Sequence, residues 1–118
     1  MATEEFVELE KLVKQVDSFK IPIKVTIKTF QKDRIKGLYN ERTVKESVVH
    51  FPDDAVSEVR NFLIDRIQDL DLQKINYGYV GAIKASGFRF MLPEVMYNDV
   101  KPYGRHQKVA VQVIIEKA

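Results

Sequence analysis

Between Asp53 and Leu70 the apolar residues recur at helical spacing. Val56, Val59, Phe62, Leu63, Ile67 and Leu70 make one wide stripe. Asp54, Glu58, Asn61, Asp65 and Asp69 fall on the far side and face water. Pro52 suits the first turn of a helix, where its missing N–H would have no intrahelical partner. Asp53 and Asp54 place negative charge beside the positive end of the helix dipole. An amphipathic helix of this length cannot hide its stripe alone, so it needs a sheet or another helix to lie on.

The flanking segments supply a sheet. Ile23 to Phe30 alternates, with Ile23, Val25 and Ile27 on one face and Lys24, Thr26 and Lys28 on the other. Residues 31–42 lose that pattern and carry the turn formers Asp33, Gly37 and Asn40, which predicts a long hairpin loop. Thr43 to Phe51 reads as a second strand. After the helix, Lys74 to Ala85 is β-branched and aromatic, and Gly78 and Gly81 weaken it. Ser86-Gly87 signals a turn into a strand from Phe88 to Leu92, which Pro93 is expected to end or confine to an edge. A second loop covers Tyr97 to Gln107. Lys108 to Glu116 is strand-like, with Val109, Val111, Val113 and Ile115 on one face.

A further helix is expected from Thr3 to Phe19, striped by Phe6, Leu9, Leu12, Val13 and Val16 and ended by Ile21-Pro22. The order is then α-β-β-α-β-β-β. This predicts an α+β fold in two layers: a mainly antiparallel sheet of about five strands with two helices on one face. A crossover through the central helix would add one parallel pair. At 118 residues the chain suits a single domain, 1–118, with its own core.

Composition excludes several classes. A hydrophobic fraction of 45% is too high for a disordered chain. The absence of cysteine removes disulfides, thiolate metal sites and cysteine nucleophiles, and fits a reducing compartment. The early Glu4, Glu5, Glu8 and Glu10 are the opposite of a basic signal-peptide start. No apolar run approaches the roughly 20 residues that cross a bilayer, so a cytoplasmic location without membrane contact is expected.

Net charge is +2, unevenly spread. Residues 1–20 sum to −2, 21–50 to +4, 51–75 to −3 and 76–118 to +3. The helical segments are acidic and the strand-rich segments basic. With the helices on one face of a sheet, the other face would be the basic one.

Motifs for catalysis are sparse. His50 and His106 stand far apart without metal-ligand spacing, and lone histidines of this kind are ordinary surface residues. Asp65 and Asp69 share a helical face, which also describes a solvated helix surface. No serine elbow, phosphate loop or dinucleotide fingerprint is present, so no cofactor is expected.

Two basic loops remain. One carries Lys32, Arg34, Lys36, Tyr39 and Arg42; the other carries Lys101, Tyr103, Arg105 and His106. Cations neutralise phosphates and tyrosine stacks on unpaired bases, so this mixture suits a nucleic-acid or partner contact. Lys24, Lys28, Lys84 and Arg89 would extend the patch over the sheet. The same composition also describes ordinary solvated loops. Val80 and Ala82, and Ala110 and Ile114, add apolar side chains to the second face of two strands, which points to self-association into a homo-oligomer.

The element order is shared by small phage-encoded, nucleic-acid-binding and assembly proteins, and no motif selects among them. The sequence therefore leads first to a non-enzymatic binding or assembly protein working through a sheet face and two basic loops. A binder of single-stranded nucleic acid or RNA comes second. A small hydrolase or nuclease using Asp65, Asp69 or His106 comes last.

Overall fold

The alternation at Ile23 is realised as a strand whose inward side chains are fully enclosed. The computed structural model describes residues 22–32, 35, 37, 39–68, 70, 76–79, 87–98 and 106–118. Their elements are β1 (Ile23–Lys32), β2 (Tyr39–Val49), α1 (Pro52–Arg66), β3 (Ile67–Gln68), β4 (Asn76–Tyr79), β5 (Gly87–Asn98) and β6 (His106–Lys117). The strands form one six-stranded sheet in the order β2-β1-β6-β5-β3, with β4 also pairing β5. Every pairing among the described strands is antiparallel. Among the described strands the parallel pair expected from a crossover is absent, because β2 and β3, either side of α1, lie at opposite edges of the sheet.

The fold is thus a mostly antiparallel sheet with one helix among the described residues, broadly α+β. The helix expected at 3–19 lies outside the described residues.

Core and register agree. Val25 pairs with Ser47 and Ile115, and Ile27 with Lys45 and Val113, so one face carries Ile23, Val25, Ile27, Val109, Val111, Val113 and Ile115. Phe90, Leu92 and Tyr97 of β5 join it, and α1 lays Ala55, Val56, Val59 and Leu63 into the same cluster. Each valine, leucine, isoleucine or phenylalanine among them contributes about 1.5–3 kcal/mol over an exposed one.

Several boundaries differ from expectation. The hairpin loop predicted over 31–42 is shorter, because strand pairing continues to Lys32 and Tyr39. β2 is bulged: Ile27 opposes Lys45 but Lys28 opposes Thr43, leaving Val44 over to pack against the core. Phe51, expected inside a strand, is the N-cap of α1, and its carbonyl accepts from the N–H groups of Asp54 and Ala55 at 3.0 and 3.3 Å.

The helix expected to reach Leu70 stops at Arg66. Ile67 turns extended to pair with Tyr97, and stays buried. Its apolar spacing from Leu63 serves both geometries, so the pattern alone could not mark the change.

Pro93 does not end its strand. β5 runs on to Asn98, and the register shifts between Leu92 and Val95. On the other edge, the pairs of β4 reach Met91 and those of β3 begin at Met96, so among the described residues no ladder pair falls at Pro93. A missing N–H costs little there. Glu94 takes the left-handed conformation (φ 46°) that the extra residue requires.

Of the strand expected at 74–85, residues 76–79 form β4, and 80–85 lie outside the described residues.

Candidate functional site

Pairing fixes which side chains share the face turned away from α1. Across β2, β1, β6 and β5 one row reads Glu46, Thr26, Ile114, Arg89, and a second reads Thr43, Lys28, Gln112, Met91. Thr26 is buried, Ile114 and Ala110 are half-buried, and Arg89 is exposed. This outer face mixes apolar and charged groups, in contrast to the sealed core face.

Its charge is partly balanced. Lys24 Nζ stands 2.9 Å from Glu46 Oε1, and Lys28 Nζ donates to Glu41 Oε1 at 3.4 Å. The hydrogen bond to Glu46 and that carboxylate's charge hold the Lys24 ammonium above the ordinary lysine value of 10.5, with Glu116 adding to the effect. Of the three lysines expected to extend a basic patch, Lys24 and Lys28 are therefore paired with glutamates from the edge strand β2, and Lys84 lies outside the described residues. Surface pairs of this kind contribute little to stability but shield the edge against unwanted strand pairing.

Topology brings Lys32 and Lys108 to one end. Phe30 and Ala110 are the last pair of β1 and β6; two residues further on each strand stand Lys32 and Lys108, on the outer face. Tyr39 is the partner of Lys32, Met96 of Lys108, and Gln68 of Met96. Asn98 and His106, where the second hairpin leaves the sheet, pair at the same end. Both hairpins therefore leave from one end of the sheet, which the sequence could not show without the strand order.

Lys32, Tyr39, Arg42 and Lys108 are exposed there. Arg42 pairs with Thr29 and so belongs to the opposite face from Lys32 and Tyr39. Ile35, in the first hairpin, is 95% exposed. Arg34, Lys36, Lys101, Tyr103 and Arg105 lie outside the described residues, as do Val80 and Ala82. His106 opens β6.

The opposite end carries a feature that sequence reasoning missed. An open cleft of about 420 Å³ lies between the end of β2 and the start of α1, lined by Val48, Val49, His50, Phe51, Asp54, Ser57, Glu58 and Asn61. Phe51 (64%) and Val48 (53%) are the most exposed apolar groups on its walls. Asp54 and Glu58 supply negative charge, and Lys45 Nζ reaches Glu58 Oε2 at 2.7 Å, clamping β2 to α1. The available signal was Phe51 directly before Pro52, an aromatic residue placed at a helix entry instead of on the apolar face of an element.

The acidic residues considered for catalysis are spread out. Asp53 and Asp54 lie exposed in the first turn of α1, and Asp65 stands 3.7 Å from Arg66 Nε near its end. Asp69 lies outside the described residues. Among the described residues no three histidine or acidic side chains are grouped to hold a metal ion. No described helix is long and apolar enough to cross a membrane.

No family model, curated protein or solved structure matches this chain.

Proposed function

We propose that this chain is a non-enzymatic binding or assembly domain that works through the outer sheet face and the end from which both hairpins leave. The observation that carries this reading is the row Tyr39, Lys32, Lys108, Met96, Gln68. It joins aromatic, cationic and apolar side chains on a rigid scaffold, continuous with half-buried Ala110 and Ile114. Tyr39 and Met96 are of the types that interfaces favour, and Lys32 and Lys108 between them would stand at a polar rim.

A second reading rests on the same end. Lys32 and Lys108 beside Tyr39 offer phosphate neutralisation and a stacking surface for single-stranded nucleic acid. The segments 33–38 and 99–105 add Arg34, Lys36, Lys101, Tyr103 and Arg105 by sequence.

One experiment separates the two. The chain has no cysteine, so Lys108→Cys carries a single thiol. Self-association should slow its alkylation as protein concentration rises. Nucleic-acid binding should slow it only when an unstructured oligonucleotide is added at low salt. A rate indifferent to both would remove both readings.

A further inference from the structure

On the face turned away from α1, the two central strands β1 and β6 meet in the rungs Thr26–Ile114, Lys28–Gln112 and Phe30–Ala110. β2 flanks one side of this seam and β5 the other, so Tyr39 and Met96 stand at the two margins of the Lys32 and Lys108 level. Among the described elements the helix packs on the opposite face. Phe30, Met91, Met96, Ala110 and Ile114 are only half-buried, and Tyr39 is 65% exposed. The face is about 30 Å long at about 3.3 Å per residue, and about 19 Å wide for four strands about 4.8 Å apart. That is roughly 570 Å² in plan on each copy. Side chains stand off the sheet and raise the accessible area above this, so two copies together reach the roughly 1,200–2,000 Å² of a stable interface.

We infer that the occupant of this face is the same face of a second copy, turned over about a two-fold axis that runs along the β1–β6 seam. This rests on the assembly reading above and specifies its geometry. The order β2-β1-β6-β5 has two strands on each side of the seam, so the axis sets β1 over β6 of the second copy and β2 over β5. Shape then matches across the contact. Phe30 comes over Ala110, Tyr39 over Met96, and Thr26 over Ile114, each reciprocally because a two-fold contact is self-complementary. Two sheets about 10 Å apart leave room for one ring against one methyl, not for two rings. Charge adds to this without selecting it. Arg89 comes level with Glu46 and Lys24 with Glu116 of the second copy, but both glutamates already lie near Lys24 of their own chain. The cost falls at one end, where Lys32 comes level with Lys108; both are exposed and turn to solvent.

The test mixes two variants, Phe30→Ala and Ala110→Phe, with circular dichroism to check that each folds. Alone, the first sets alanine against alanine at both reciprocal contacts, and the second sets ring against ring. Each should weaken association by about tenfold or more. In the equimolar mixture every ring of one variant meets an alanine of the other, at both contacts. Light scattering should show wild-type chains at twice the mass of one chain, each variant alone at one-chain mass at the same concentration, and the mixture back at the two-chain mass. Ile114→Arg, which puts a charge over Thr26 of the second copy, should hold chains at one-chain mass and serves if a ring variant fails to fold. If all the variants associate as wild type does, this face is not the contact and the assembly reading stands. If the ring variants stay single when mixed, or wild-type chains grow beyond two copies, the two-fold arrangement is wrong. If wild-type chains remain single at every concentration, the assembly reading itself falls.

Discussion

Arg66, in the last turn of α1, donates from Nη1 to the main-chain carbonyl of Asn98, 3.3 Å away. The bond ties the end of the helix to the last residue of β5. The guanidinium also lies 5.6 Å from the centre of the Phe62 ring, which stands 6.4 Å from that of buried Tyr97. Helix end, β3 and β5 are thereby locked beside the point where the second hairpin leaves the sheet.

Arg66→Ala should therefore cost about 1–2 kcal/mol, from a charge-assisted bond and a cation–π contact. Arg66→Lys should recover only part, because an ammonium cannot reproduce the planar fork over the ring. Urea unfolding of the three proteins measures this. Equal stability of wild type and alanine variant would mean the bond is idle.

The two sides of α1 should respond differently. Leu63 is fully buried, and neighbouring Ile64 is 49% exposed. Leu63→Ala should lose about 2–5 kcal/mol, and Ile64→Ala less than about 1 kcal/mol. Comparable losses at both positions would mean that the helix is rotated relative to the arrangement described.

Much of this was legible in advance. The alternation of Val109 to Ile115 and of Ile23 to Ile27 named the buried face of two strands, and the stripe of Val56, Val59 and Leu63 named the helix face. Boundaries were less legible where one spacing serves two structures, as at Ile67, or where a local rule is overridden by its surroundings, as at Pro93 in the gap between β3 and β4. Lys32 and Lys108 could be read from sequence as basic, but their approach at one end of the sheet could not, because it depends on β6 lying beside β1. The pairing of Lys24 with Glu46 and Lys28 with Glu41 was equally hidden, since it depends on a bulged register.

Gly87 opens β5 at φ 140°, a conformation that residues with a Cβ rarely adopt. A Cβ there would overlap the Ile115 carbonyl oxygen and lie 2.7 Å from Glu116 Cα. Both are backbone atoms of β6 and cannot swing aside. Gly87→Ala should destabilise the chain by at least about 2 kcal/mol, combining backbone strain with displacement of β6. Thermal unfolding checks it, and an unchanged midpoint would contradict the close approach.

Ser47 points to the core side of β2, opposite Val25, and its buried hydroxyl has no hydrogen-bond partner among the described residues. Removing an unsatisfied polar group returns its desolvation cost. Ser47→Ala should be neutral or stabilise by up to about 1 kcal/mol, again by urea unfolding. A loss larger than that would show that the hydroxyl has a partner.

The most direct test of assembly through this sheet is the mass of the wild-type chain by sedimentation equilibrium across a wide concentration range, at low and at high salt. Folded chains that work as an assembly domain should exceed the mass of one chain, dissociate on dilution and do so sooner in high salt. A folded protein that keeps the mass of a single chain at every concentration and salt would contradict it.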